Sequence, residues 1–287
     1  MQSIVITGVS TGIGHATAQV LVRRGFRVFG SVRKASDGEA LQQELGERFV
    51  PLHFDVTDES AIIAAAAQVR QQLDGQTLAG LVNNAGIAVA GPLLEVSTAD
   101  YRQQLEVNLV GPFLVTKAFA PLLGADDSLA GKPGRIVNIS SVSGIRAMPF
   151  LGPYSASKFG LEGYSEALRR ELMLFGIDVV VVGPGPVKTA IWDKADEIDM
   201  EQFGNSPYRP ILERFYRAFV RQGRDGYPAD RLGELIHTAL TTRRPRLRYA
   251  AVKGRLVEKL MMSVASDRTL DRMIASMLGL RPRARKK

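Results

Sequence analysis

The stretch Ile4-Val5-Ile6-Thr7-Gly8-Val9-Ser10-Thr11-Gly12-Ile13-Gly14 decides the fold. Four β-branched residues in a row read as a short strand, and residues 12–24 read as the helix that follows it. Between the two, Gly8, Gly12 and Gly14 are spaced Gly-x-x-x-Gly-x-Gly. One glycine permits a sharp turn, one lets backbone amides approach a phosphate, and one lets the helix pack close to the sheet. The start of such a helix offers unpaired N–H groups and a positive dipole end to an anion. In this strand-turn-helix context the run reads as a pyrophosphate site built from Gly8, Ser10, Thr11, Gly12, Ile13 and Gly14.

Outward from that turn, short β-branched runs alternate with helical stretches. Strands are expected at 26–31, 49–54, 78–83, 135–140, 177–183 and 247–252. Helices are expected at 59–73, at 99–123 with a bend near Gly111-Pro112, at 154–175 and at 231–241. Strands separated by helices form right-handed crossovers, and their near-continuous apolar character fits burial on both faces. The expected fold is α/β: a doubly wound parallel sheet of about seven strands with helices on both faces, and a ligand crevice at the strands' carboxyl ends. The 287 residues read as one domain. Residues 190–227 break the alternation with Trp192, Phe203, Tyr208, Phe215, Tyr216 and Phe219 among charges, and read as a lid over the crevice.

The end of the second strand distinguishes two dinucleotides. An acid there holds ribose hydroxyls, whereas a base accommodates a 2′-phosphate. Here the residues are Gly30-Ser31-Val32-Arg33-Lys34, with no acid. Arg33 offers a planar fork of donors and Ser10 a hydroxyl, so NADP(H) is expected in preference to NAD(H).

Tyr154 and Lys158 stand four apart at the opening of a strong helix, so both side chains can enter one pocket. An ammonium beside a phenol lowers the phenol's pKa from about 10 and makes it a usable acid and base. Ser141 lies thirteen residues upstream, just past the fifth strand; the fourth strand ends in Asn83-Asn84-Ala85-Gly86; Asn108 lies on the long helix; the sixth strand ends in Pro184-Gly185-Pro186-Val187-Lys188-Thr189.

Taken together, and in this order, these landmarks resemble the short-chain dehydrogenase/reductase family over residues 3–189. The resemblance implies a Rossmann fold and a hydride transfer between nicotinamide and an alcohol or carbonyl. Its spacing selects Ser141, rather than Ser140 or Ser143, as the group that hydrogen-bonds substrate oxygen, with Ser140 left as a strand-end hydroxyl capping backbone. It implies that Tyr154 exchanges the proton, that Lys158 binds the nicotinamide ribose and tunes Tyr154, and that Asn108 holds a water relaying protons to Lys158. Asn83, Ala85 and Gly86 would line the ribose path, Asp55 and Val56 would meet adenine, and Pro184, Gly185, Val187 and Thr189 would clamp the nicotinamide. The pattern is most similar to NADP-using hydroxysteroid and retinol dehydrogenases, which implies a bulky apolar substrate. Ile145, Met148, Phe150, Ile191 and Trp192 are the pocket candidates beside Ser141. A protein that senses NADP(H) without turnover is the alternative on the same fold.

Composition narrows the rest. There is no cysteine, so disulfides, thiolate–zinc sites and cysteine nucleophiles are excluded. His15, His53 and His237 lack metal-ligand spacing, and no metal is expected. The net charge is +8, and Arg281, Arg283, Arg285, Lys286 and Lys287 supply five of those charges from a tail, residues 280–287, read as disordered. With no aromatic interleaved, no nucleic-acid partner is expected. No leader or membrane-spanning run is apparent, so the reading is cytoplasmic with no membrane partner. The family resemblance adds a homo-oligomer, dimer or tetramer.

Overall fold

The computed structural model describes residues 1–189, 203–252 and 266–281. Its main sheet is parallel throughout. The strands are β1 (Ser3–Ile6), β2 (Arg27–Val32), β3 (Phe49–His53), β4 (Gly80–Asn83), β5 (Arg135–Ile139), β6 (Asp178–Pro184) and β9 (Arg248–Ala251). Their spatial order is β3-β2-β1-β4-β5-β6-β9. Two short strands, β7 (Val187–Lys188) and β8 (Tyr227–Pro228), pair separately. The chain starts mid-sheet and winds both ways from β1, so the carboxyl ends of β1 and β4 part to form a crevice.

Alternation along each strand feeds two apolar layers. Ile4, Ile6, Val28, Val137 and Val180 pack under α1 (Gly12–Arg23), α2 (Ala35–Leu45) and α8 (Ala229–Thr241). Val5, Phe29, Leu81, Ile136 and Val179 pack under α3 (Glu59–Gln72), α5 (Gly111–Phe119) and α6 (Gly152–Glu171). Because both faces are covered, the strands read as apolar at every position. A third cluster stands apart. Leu212 and Phe215 of α7 (Arg209–Arg224), with Leu278 of α9 (Asp267–Leu278), pack on Phe150 and Leu151 just before α6.

The sequence reading overlooked α2, because it buries only Gly38 and Leu41 and carries a polar surface. The expected helix over 99–123 is divided. α4 (Thr98–Leu105) passes through a π turn at Glu106–Val110 into α5, and ends in a 3-10 turn, Ala120–Leu123. Pro112 cannot donate the N–H that would close an α-helical bond to Asn108, and the irregular turn lies directly before it. Thr98–Leu123 is also long and apolar enough, by length and composition, to cross a bilayer, which corrects the expectation that the chain has no such run. It is a core helix: Val115, Phe119, Leu122 and Leu123 are buried.

Candidate active site

A cleft of about 1370 Å³ runs along the carboxyl ends of the strands. At one end lies the glycine turn. Gly8 and Gly12 adopt left-handed backbone, φ +69° and +64°, which side chains disfavour. A Cβ on Gly8 would come within 2.9 Å of the Ala85 backbone, and one on Gly14 within 2.2 Å of the Gly8 carbonyl. The first contact is with the end of β4; the second holds α1 against its own turn. Thr11 caps α1 without a side-chain bond, leaving the first amides of the helix to a ligand. The cradle is fixed from behind. Thr7 Oγ1 accepts from the amides of Asn84 (2.9 Å) and Ala85 (3.0 Å), and Asn84 Nδ2 donates to the carbonyls of Thr7 and Gly8. Neither Thr7 nor Asn84 was singled out from sequence; the signal was a hydroxyl at the last position of the first strand and the doubled Asn.

Of the expected cofactor residues, Gly8, Ser10, Thr11, Gly12, Ile13, Arg33, Asp55, Val56, Ala85, Gly86, Tyr154, Lys158, Pro184, Gly185, Val187 and Thr189 line this cleft. Gly14 acts through the turn and does not line it. Arg33 is largely exposed at the rim, 4.0 Å from Asp55, whose carboxylate also accepts from Thr57. Asn83 is a correction. Its amide points into the layer under α5 and α6, donating to Thr116 (3.0 Å) and to Asn138 (2.8 Å), and Asn138 continues the chain to Ser165. A strand's side chains alternate in direction, so when Asn84 turns to the glycine turn, Asn83 turns away from it.

At the other end, Tyr154, in the first turn of α6, hydrogen-bonds through its phenol to Ser141. Ser141 Oγ also accepts from the Ser143 amide at 3.1 Å. Lys158 Nζ donates to the Ile139 carbonyl (2.8 Å) and lies 5.7 Å from the centre of the Tyr154 ring. Burial pushes the phenol's pKa up, and the Ser141 bond opposes this in part. The downward shift expected from the ammonium is not what prevails, because Lys158 points at a strand carbonyl and desolvation of the phenol dominates. Desolvation likewise lowers Lys158 to about 8, with Glu162 pulling the other way.

This lowering has a consequence for stability. Lys158 titrates at about 8 in the folded chain against 10.5 when exposed, so the fold releases this proton first as pH rises. Stability contributed by this site therefore increases between those two values. Compared with Lys158→Met in paired thermal melts, the wild type should gain up to about 3 kcal/mol on going from pH 7.5 to above 10. A constant difference would refute a buried ammonium.

Asn108 is 1% exposed and does not line the cleft. Its Oδ1 accepts from the Ile87 amide (2.9 Å), and its Nδ2 donates to the Ile87 carbonyl (3.0 Å) and to Ser157 Oγ (3.2 Å). The side chain is thus committed to the Ile87 backbone and to Ser157. Gln104, one turn earlier and fully buried, grips the same loop through the Val89 amide and the Ile87 carbonyl. Ser140 Oγ has no partner among the described residues, so it caps nothing.

A second support came from far along the chain. Arg248 on β9 reaches beneath β6, where a Cβ on Gly183 would meet its Nη2 at 2.1 Å. It donates to the Ser141 carbonyl (3.2 Å) and pairs with Glu162 (3.1 Å). Arg248 therefore joins Ser141 to the helix that carries Tyr154 and Lys158.

The substrate end is walled by Met148 and Leu151 on one side and by Phe215, Tyr216, Phe219, Met277 and Leu278 on the other. Two expected pocket residues lie elsewhere. Ile145 is 53% exposed outside the cleft. Phe150 is buried behind it, in left-handed backbone (φ +67°), with ring contacts to Tyr208 and Phe215. It supports the wall instead of forming it. Ile191 and Trp192 lie outside the described residues, as do 190–202 of the expected lid; α7 forms its later part.

Comparison with known proteins bears on this arrangement. The profile of the short chain dehydrogenase family matches residues 2–199. The chain is 36% identical over 278 residues to an NADPH-dependent 3-dehydrocapnine reductase of Ornithobacterium rhinotracheale, spanning 95% of this chain and 96% of that protein. It is 33% identical over 262 residues to retinol dehydrogenase 16 of Mus musculus, spanning 86% and 80%. The crystal structure of a short-chain dehydrogenase from Streptomyces avermitilis aligns with a TM-score of 0.73 at 27% identity, over 97% of this chain and 95% of that one.

Proposed function

The chain belongs to the short-chain dehydrogenase family, and from that premise we propose that it is an NADPH-dependent reductase of a ketone or aldehyde carried on a bulky apolar molecule. Family membership makes it an oxidoreductase acting on alcohol and carbonyl groups. The observation that carries the finer reading is the phenol of Tyr154, bonded to Ser141 and raised in pKa, on the wall of a cleft whose far end is aromatic.

A nicotinamide dinucleotide fits the cradle: two left-handed glycines, a helix start without a side-chain cap and a backbone that any Cβ would obstruct. Bound there, it supplies the hydride. The amides of Gly12 and Ile13 would hold its pyrophosphate, and Asp55 and Val56 its adenine. Arg33 and Ser10 would hold a 2′-phosphate, a preference supported by the NADPH dependence of one relative. Pro184 to Thr189 would flank the nicotinamide.

Ser141 holds the substrate oxygen and stabilises the charge that develops on it. Tyr154, kept protonated by burial, gives that oxygen a proton. Lys158 resupplies the phenol, helped by a pKa lowered to about 8, and a water relay at Asn108 would connect Lys158 to solvent. Phe215, Tyr216 and Phe219 exclude water from an apolar substrate; a relative named for retinol supports that class. Phe113 and Phe159, each 46% exposed on α5 and α6, support a homo-oligomer.

The test is NADPH oxidation against a panel of long-chain and cyclic ketones and aldehydes, run in parallel with NADH. Arg33→Ala is expected to raise KM for NADPH about 10-fold or more and leave that for NADH nearly unchanged, as loss of a charge-assisted phosphate contact requires. Equal changes for both cofactors would refute the 2′-phosphate assignment.

A further inference from the structure

From the sequence no membrane partner is expected, because no leader or membrane-spanning run is apparent. α7 and α9 nevertheless gather basic residues on one side of the fold. On α7, Arg214, Arg217, Arg221 and Arg224 are all exposed, and their spacing of three, four and three puts them on one face. The opposite face buries Leu212 and Phe215 and walls the cleft. Arg214 and Arg217 rest Nε on the helix carbonyls of Pro210 and Glu213, so both guanidinium groups lie along this stripe. α9 packs onto α7 through Ile274 and Leu278, and its end adjoins the stripe: a Cβ on Gly279 would lie 2.9 Å from Arg214 Nη2. Its outer side shows Arg268, Arg272, Met273 (46% exposed) and Met277 (66% exposed).

The described residues 203–228 and 266–281 hold eight basic and four acidic residues. The exposed arginines of α7 stand beside one opening, because Met277, with the exposed Ala218 and Gln222 of α7, lines the cleft's mouth.

We propose that this α7–α9 face docks on an anionic phospholipid bilayer, with the arginines on headgroup phosphates and Met273 and Met277 against the acyl boundary. Charge complementarity selects the bilayer surface, and the exposed methionines at an apolar mouth select lipid over another polyanion. A nucleic-acid surface would be served by exposed aromatic rings for stacking, and the described rim carries methionine and alanine instead. Docking does not depend on the reaction assigned above. Its use does: a docked mouth lets an apolar carbonyl compound pass from the membrane to Tyr154 without crossing water.

The experiment is flotation of the full chain with vesicles of phosphatidylcholine alone, or with about 30% phosphatidylglycerol, at low and high salt. Binding is expected only to the anionic vesicles and only at low salt. The double variant Arg217→Gln/Arg221→Gln should weaken that binding about 30-fold. Neither residue lines the cleft, so NADPH oxidation with a water-soluble ketone should stay at the wild-type rate. Circular dichroism would verify the fold. The proposal is overturned if anionic vesicles do not bind at low salt, if neutral vesicles bind equally, if the variant binds as well as the wild type, or if a single-stranded oligonucleotide displaces the vesicles at equal phosphate. Loss of turnover with vesicle binding intact would count against the reductase reading alone.

Discussion

Tyr154→Phe should lower kcat by about 10³-fold while leaving the fold and NADPH binding in place. General acid catalysis by a positioned side chain contributes on the order of 10²- to 10⁴-fold. Here it is concentrated in one group, because Ser141 is bonded to Tyr154 and Lys158 is bonded to Ile139, so neither presents a second acid of equal placement. The phenylalanine ring fills the same volume and keeps its place in the first turn of α6, and the ring remains available to Lys158 at 5.7 Å. Melting temperature and NADPH affinity should therefore be unchanged, and single-turnover reduction should be slow. A variant within threefold of the wild type would remove Tyr154 from the chemistry and return the protein to the class of cofactor sensors.

Asn108→Ala should act differently: by loss of stability first and of activity as its result. The amide satisfies the N–H and the C=O of Ile87 and reaches Ser157, which in turn donates to the Tyr154 carbonyl at 2.7 Å. Alanine leaves the Ile87 N–H without its partner, at about 1–3 kcal/mol, and a cavity besides, while the Ile87 carbonyl keeps its bond from Gln104. A loss of about 2–4 kcal/mol is a large part of a typical stability of about 5–15 kcal/mol. Asn108→Asp should recover the bond from the Ile87 amide but not the one to its carbonyl, and so fall between the two. The check is a denaturant series on both variants, with kcat measured where each remains folded. Loss of turnover at full stability would overturn the structural role and make the side chain itself a participant in proton transfer.

The parts read successfully from the chain have causes within a few residues of one another. β-branched runs, three glycines and a Tyr–Lys pair one helical turn apart each carry their own geometry, and the seven parallel strands followed from their alternation with helices. The reading weakened where a residue's direction depended on its neighbour. Asn83 and Asn84 are chemically identical, yet strand alternation sends one to the interior and the other to the glycine turn. Phe150 has the character of a pocket residue, but its left-handed backbone turns it behind the wall. α2 escaped notice because a helix that buries little shows little periodicity.

Local chemistry along the chain was enough to specify a doubly wound sheet and to pair Tyr154 with Lys158, since each signal spans one strand or a helical turn; Ser141 was nominated by the family resemblance. Folding alone decided that Lys158 would point at Ile139, that Arg248 would pass Gly183 to hold Ser141 across 107 positions, and that the arginines of α7 and α9 would share one rim. Those outcomes depend on the approach and burial of residues far apart in the chain. Desolvation, which sets the pKa of both Tyr154 and Lys158, exists only once such residues have closed around them.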